Sequence, residues 1–239
     1  SHYSLLSSLL TLDKSKEDFE NSGPISIFSI ANKYNLPKIL LCDDNMGSFY
    51  QAYSKSKEYK KQLIFGLQLK VKADLDNKED ACSSDVIVWM KNSDGYRDLL
   101  TINNFAVKNH INAIPHIDWK NLNKLWTKNL TLSIPFYSGF LSVNSTSLDC
   151  NTIPEFSKIK PILMVNNQGL PEDTFLEKSV LEYAKNNNLK VLNTHNCYYY
   201  KKEHAESLQV LRCIKERSNF EKPELPGFSS DEFCLESYL

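Results

Sequence analysis

The side chains that could carry chemistry lie just after two apolar runs. Asp43-Asp44 follow Ile39-Leu-Leu-Cys42, and His195-Asn-Cys197 follow the run ending near Leu192. A His and a Cys two residues apart on extended backbone face the same side. With an aspartate they supply the mixed N, S and O donors that a borderline metal such as zinc accepts, which makes Asp43, Asp44, His195 and Cys197 the candidate ligands. The signal is one HxC with no HxH, HExxH or second Cys/His cluster. The plainer reading makes Asp43 and Asp44 turn or capping residues and His195 a polar residue at a strand end. His110, His116 and His204 are expected in surface or capping roles. No Ser sits in GxSxG and no Cys has a local nucleophile signature, so covalent catalysis finds no support. GxGxxG and GxxxxGK[ST] are also absent from a chain with 7 glycines, which excludes a glycine-fingerprint nucleotide fold. Tyr198-Tyr199-Tyr200 before Lys201-Lys202 could stack on bases, although an aromatic strand end beside a solvated lysine pair is the more ordinary arrangement.

The elements that would position these residues alternate as βα units. Strands are expected at Ile39–Cys42, Leu63–Val71, Val86–Met90, Leu130–Ile134, Ile162–Val165 and Leu189–Leu192. Helices are expected from Pro24 to Asn35, from Ser48 to Lys60, after Ser93-Asp94-Gly95, over Asp118–Leu125, over Glu172–Asn186 and over Glu203–Lys215. A Ser/Thr/Asn-rich loop is expected from Ser142 to Thr152. Short strands each followed by a helix point to an α/β barrel, whose working residues sit at the C-terminal ends of its strands. Leu40, Phe65, Val88, Leu132, Leu163 and Val191 are its expected core.

The chain has 239 residues, 41% hydrophobic and 24% charged, with formal charge −1. That fits one large globular domain or two small ones; a single domain over 1–239 is expected, with the Pro, Gly, Ser and charge of 218–230 opening an exit segment, 218–239. No run reaches the roughly 18 apolar residues of a membrane helix. Near-zero net charge argues against a dedicated nucleic-acid surface, since such domains carry a basic excess. The six cysteines (Cys42, Cys82, Cys150, Cys197, Cys213 and Cys234) show no CxxC, and free thiols of a reduced, cytosolic protein are the favoured reading. The opening Ser1-His2, without Met, is expected to reflect trimming. Asn129-Leu-Thr131 and Asn144-Ser-Thr146 are read as chance matches to the glycosylation pattern.

Taken in order, the segments resemble the N-terminal PHP (polymerase and histidinol phosphatase) domain of bacterial DNA polymerase III alpha subunits. Tyr3-Ser-Leu-Leu6 is similar to YSLLDGA, Ile39 to Gly47 to LALTDHGNMFG, and Ile64-Phe-Gly-Leu-Gln68 to IIGLE. Val86 to Leu100 (VIVWMKNSDGYRDLL) resembles LLLLAKNEEGYRNLL, the most specific match. Ile117-Asp118 followed by Leu122 resembles a short RID-type segment, Leu130 to Ser142 is similar to LIALSGCLSGE, and Leu170-Pro-Glu172 to IPEQ. Leu189 to Tyr198 resembles LPLVATNDVHY, Glu203 to Ile214 resembles DAEAHDVLLCI, and Ser230 to Ser237 (SDEFCLES) resembles SDEFYLKS.

The resemblance implies a distorted TIM-like (β/α)7 barrel of the PHP type, the domain of a cytoplasmic replicative polymerase. It also exposes departures. Active members bind two or three metals through His, Asp, Glu and Cys. Here Ser7 stands for the aspartate of YSLLD, Asp44 for the histidine of TDH, Gln68 for the glutamate of GLE and Phe136 for the cysteine of SGC. His195 and Cys197 stand for the aspartate and histidine of NDVH. Ser7, Gln68 and Phe136 cannot supply the anionic ligands of a multi-metal centre. The expectation is a domain with no catalytic residues and no metal of its own, its parent's Mg2+ belonging to a palm beyond these residues. Its expected partners are the rest of the polymerase chain, the proofreading exonuclease and other replisome subunits, and DNA through the parent enzyme, with no membrane. The rival readings are an active metal-dependent phosphoesterase or proofreading nuclease using Asp43, Asp44, His195 and Cys197, and a stand-alone interaction protein.

Overall fold

The computed structural model describes residues 8–12, 25–77, 82–216 and 230–239. The chain forms two compact units. One comprises Ser1–Phe65, Asn167–Asp173 and His195–Leu239, the other Gly66–Asn166 and Thr174–Thr194.

In the first unit, β1 (Leu10–Thr11) pairs in parallel with β2 (Ile25–Ser26), which runs directly into α1 (Ile27–Lys33). The helix ends at Tyr34, and the next residue, Asn35, takes a φ of 51°, the left-handed conformation that Asn tolerates better than most residues. The expected start at Pro24 lies outside the described residues. β3 (Lys38–Asp43) and α2 (Phe49–Glu58) follow, leading to β4 (Gln62–Lys72). Side chains alternate along β3, so Ile39, Leu41 and Asp43 are buried while Leu40 is 51% exposed. The expectation of Leu40 as core therefore fails, because period-two alternation decides its face whatever its polarity. Phe65 is fully buried, its ring edge-on to Phe49 at 5.0 Å.

The same unit ends with a 3₁₀ turn at Lys202–His204 and α7 (Ala205–Glu216). Residues 230–239 are bonded alongside the 198–200 stretch. Tyr198 N donates to Phe233 O at 2.9 Å, and Leu235 N and Glu236 N donate to Tyr199 O and Tyr200 O at 3.0 Å each. Ile30, Tyr200 and Leu235 make a core on which Leu10, Ile25 and Cys197 pack. Residues 218–229 of the expected exit segment lie outside the described residues.

In the second unit β4 pairs antiparallel with β5 (Ser84–Met90), Lys70 opposite Asp85 and Gln68 opposite Ile87. α3 (Ser93–Lys108), β6 (His116–Asp118) and α4 (Trp119–Leu125) follow, β6 pairing in parallel with β4. β7 (Leu130–Ile134) is antiparallel to β5, and α5 (Phe140–Thr146) comes next. β8 (Ile162–Val165) and β9 (Lys190–Asn193), joined through α6 (Asp173–Asn187), extend the sheet in parallel from β7. The architecture is mixed α/β, with antiparallel pairs where a uniformly parallel succession is expected. No helix is described between β4 and β5, and a direct connection suits antiparallel neighbours whereas a parallel pair needs a longer crossover. Val88, Leu132 and Leu163 are buried as expected, whereas Val191 is only half-buried.

The segment that best matches the resemblance is also the best explained physically. The Asn92 side chain caps α3 by accepting from Gly95 N at 2.8 Å, and Asp94 in the first turn complements the helix dipole. Leu99, Ile102 and Ala106 form its buried stripe. Gly95 is required because a Cβ there would sit 2.6 Å from Asn129 O. Thr127 Oγ1 and Asn129 Nδ2 donate to Asp98 at 2.5 and 2.9 Å, and these bonds hold its carboxyl below the usual range. α5, by contrast, falls partly where the composition suggests a loop. Ser145 and Thr146 satisfy their hydroxyls on Leu141 O and Ser142 O one turn back, and Phe140 is buried.

Two of the six cysteines depart from the free-thiol expectation. Cys82 and Cys150 are joined as a disulfide, with Cα atoms 5.6 Å apart at a sequence separation of 68. Asp85 N donates to Ser138 O at 2.7 Å, so the start of β5 and the approach to α5 already lie together in the fold, a proximity that spacing alone does not reveal. Cys42, Cys197, Cys213 and Cys234 remain thiols.

Candidate functional site

Each unit carries one group of the sequence-selected residues. In the first unit β3 ends by placing Asp43 on its buried face, 0% exposed. Ser48 Oγ and Asp44 N donate to its two carboxylate oxygens at 2.5 and 2.9 Å. Burial pushes the Asp43 carboxyl up to about 7; the Ser48 hydrogen bond opposes the shift and the neighbouring Asp44 charge adds to it. Asp43 is thus a buried acid and not the turn residue of the plainer reading. Asp44 does fit that reading, being exposed and accepting from Asn45 Nδ2 at 2.7 Å, while Asn45 Oδ1 accepts from Gly47 N at 2.8 Å.

His195 and Cys197 address the same side, as their spacing predicts, and what they meet is a backbone carbonyl. His195 Nε2 lies 2.9 Å and Cys197 Sγ 3.7 Å from Cys234 O. The His195 ring also stands 5.8 Å from that of Tyr238. Burial pushes the Cys197 thiol up to about 11, so at neutral pH it is neither a nucleophile nor a ready thiolate ligand.

The residue that sequence reasoning missed is Gln168, which is fully buried. Its Nε2 donates to Asn196 O at 3.0 Å and Glu232 O at 3.2 Å, and its Oε1 accepts from Asn196 N at 3.1 Å. Asp173 Oδ2 accepts from Gln168 N at 2.8 Å and from Leu170 N at 3.1 Å. The available signal was Asp173 at the mouth of an amphipathic helix, an N-terminal acceptor.

In the second unit Gln68 Nε2 donates to Asp85 Oδ2 at 2.7 Å, and Lys70 Nζ stands 2.7 Å from Asp85 Oδ1. The register puts Lys72 opposite Asp118 and Lys70 opposite His116, so Gln68, Lys70, Lys72, Asp85, His116 and Asp118 share one sheet face. Lys72 is buried, its ammonium donating to Asn77 O at 3.2 Å. His116 is 7% exposed with Nδ1 2.7 Å from Ile114 O, which corrects its expected surface or capping role: it sits on the short paired strand β6. Asp118 caps α4, accepting from Asn121 N at 2.6 Å. Phe136 is buried against Tyr137, ring centroids 5.0 Å apart, and offers no donor.

The remaining candidates are ordinary. His110 is exposed with Nδ1 3.2 Å from Val107 O, and His204 stands 3.8 Å from Glu203. Tyr199 and Tyr200 are buried, and Tyr198 packs beside Phe233 under Arg212, so this aromatic run is core. Lys201 and Lys202 pair with Glu203 and Glu232. Ser7, Tyr3 and His2 lie outside the described residues. Within either unit, among the described residues, no three His, Cys, Asp or Glu side chains gather at metal-binding range, and no helix is long and apolar enough to cross a membrane. The donors that are present are engaged elsewhere: Asp43 by Ser48, Asp85 by Gln68 and Lys70, His195 by a carbonyl. The set does not fit a multi-metal centre, which needs uncommitted, bridging carboxylates.

These features define a mixed α/β chain with two polar groups at its strand ends, and comparison with known proteins adds a relationship. The chain is 23% identical over 235 residues to the DNA polymerase III alpha subunit of Rickettsia felis, covering 94% of this chain and 18% of the relative. It is 30% identical over 73 residues to that of Thermus aquaticus, covering 30% of this chain and 6% of the relative. The chain thus spans less than a fifth of the length of these curated relatives. The resemblance carried by the motifs extends over nearly the whole chain. No family model matches. A crystal structure from Bifidobacterium adolescentis described as a metal-dependent phosphoesterase aligns with TM-score 0.44 and 11% identity, over 80% of this chain and 84% of the other.

Proposed function

We propose that the chain is the PHP domain of a cytoplasmic, replicative DNA polymerase III alpha subunit, and that it serves through its packing and surface, without hydrolysis. The observation that carries this reading is the similarity along 94% of the chain to a DNA polymerase III alpha subunit. The proposed arrangement is the distorted PHP-type barrel, and the proposed partners are the rest of the polymerase chain, which would supply the nucleotidyltransferase activity, and the proofreading exonuclease subunit. Support for the loss of chemistry comes from the residues. Gln68 turns an amide donor toward Asp85 where a metal site wants an anion, Phe136 offers none, and His195 is spent on Cys234 O.

The test is the full-length polymerase carrying Asp44→Ala or His195→Ala, assayed with and without the exonuclease subunit. Polymerisation and proofreading should stay within a small factor of the parent. Loss of proofreading with folding and subunit binding intact overturns the reading, as does stoichiometric Mn, Zn or Fe that disappears in His195→Ala. One observation favours the rival phosphoesterase built on Asp43, Asp44, His195 and Cys197: a buried acid whose carboxyl is raised to about 7 is the kind of group that hydrolytic sites employ.

A further inference from the structure

We propose that the Cys82–Cys150 bond is a reversible thiol–disulfide switch that fastens α5 and the loop after it to the start of β5. The inference is independent of the polymerase reading. Of six cysteines only this pair is joined, while Cys213 and Cys234 are buried thiols, Cys42 is a half-buried one, and Cys197, also half-buried, points at a carbonyl.

Access is lopsided. Cys82 is buried, whereas Cys150 is half-buried and follows the exposed run Ser145–Asp149, in which Leu148 lies wholly in solvent. An exposed sulfur is the one an external thiolate reaches, and exposed disulfides are the labile, regulatory kind. The segment that the bond holds is lightly tied elsewhere. Asn144 exchanges two hydrogen bonds with Thr152, at 2.9 and 3.1 Å, and these stay inside the segment. Its other anchors flank the turn: before it Phe140 is buried edge-on to Tyr183 at 5.2 Å, and after it Phe156 meets Trp119 at 5.3 Å and Asn123 Nδ2 donates to Glu155 O at 2.8 Å. Between Ser147 and Cys150 the described backbone makes one tight turn, Cys150 N to Ser147 O at 3.2 Å, and the covalent bond fixes that turn to the sheet. A small pocket of mixed lining, with Val71, Phe140 and Val143 beside Ser84, Asn144 and Thr152, adjoins the bond, so release of the turn would open onto it.

The step balances with two equivalents of a thiol reductant such as glutathione as co-reactant. One reductant thiolate attacks Cys150 Sγ, the S–S bond breaks, and Cys82 leaves as a thiolate that takes up a proton. The second reductant thiol then resolves the mixed disulfide and releases Cys150 as a thiol. Two electrons and two protons pass to the protein, and the reductant becomes a disulfide.

The experiment is alkylation and hydrogen exchange of the chain, read by mass spectrometry across a graded series of reduced and oxidised glutathione. Without reductant, four thiols should alkylate after denaturation and a linked Cys82/Cys150 peptide should appear; with reductant, six should alkylate. Exchange over 140–152 should rise by about tenfold on reduction while β7 and β8 stay protected. The Cys82→Ser/Cys150→Ser variant should show the raised exchange at every ratio; if it does not fold, the reduced parent chain gives the same reading. Six thiols without reductant, unchanged exchange on reduction, or a bond that persists through the whole glutathione series would each overturn the switch.

Discussion

Replacing Asp43 by Asn removes a buried titration while keeping one oxygen to accept from Asp44 N, and its amide can donate to Ser48 Oγ in place of the bond Ser48 gave. Asp43 is 0% exposed, and its carboxyl moves from 3.8 to about 7 on folding, driven by burial. The folded state therefore binds a proton that the unfolded chain has already released between about pH 4 and pH 7. Over that window stability falls as pH rises, the penalty being absent below the unfolded value and complete above the folded one. Three pK units correspond to about 4 kcal/mol, and relaxation around the charged acid reduces this to about 2–4 kcal/mol. Urea unfolding of the parent chain and Asp43→Asn at pH 4.5, 6, 7 and 8.5 isolates the effect, because the difference cancels other groups. The variant should exceed the parent by no more than about 1 kcal/mol at pH 4.5 and by about 2–4 kcal/mol at pH 8.5. A difference that stays flat with pH, or that grows toward acid, refutes the burial argument.

Phe65→Ala, at a fully buried ring edge-on to Phe49, should cost about 3–5 kcal/mol in denaturant unfolding and lower soluble yield. Gly95→Ala would ordinarily stabilise a helix by up to about 1 kcal/mol, yet with its Cβ 2.6 Å from Asn129 O it should destabilise by about 1–3 kcal/mol. Thermal melting gives the sign directly. Gln168→Ala leaves Asn196 and Glu232 backbone groups without their buried partner and should cost about 1–3 kcal/mol, with faster amide exchange over 230–239.

What was legible from sequence followed from periodicity and capping chemistry. α3 announced itself through Asn92, Asp94 and the Leu99–Ile102–Ala106 stripe, and β7 and β8 occupy the expected residues because their apolar runs are bounded by polar turns. Leu40 misled because a run of apolar residues hides the alternation that splits its faces. β6 is three residues long, too short for any period to show, which left His116 in a loop. The pairing of Cys82 with Cys150 and the convergence of Gln168, His195 and Cys234 are long-range meetings, and no local pattern encodes them. In the candidate site, the side shared by His195 and Cys197 was readable from spacing, whereas the carbonyl that occupies it was not.

The first unit is assembled from three separated stretches of chain, and this imposes an order on its birth. Leu10, Ile25 and Ile30 belong to a core completed by Tyr200 and Leu235. On a ribosome adding 5–20 residues per second, the early partners wait roughly 10–40 s for the late ones. Gly66–Asn166, which supplies five of the six strands paired in the second unit, emerges during that delay. The second unit can begin to condense first, leaving Leu10, Ile25 and Ile30 with apolar surface unsatisfied until Tyr200 and Leu235 emerge.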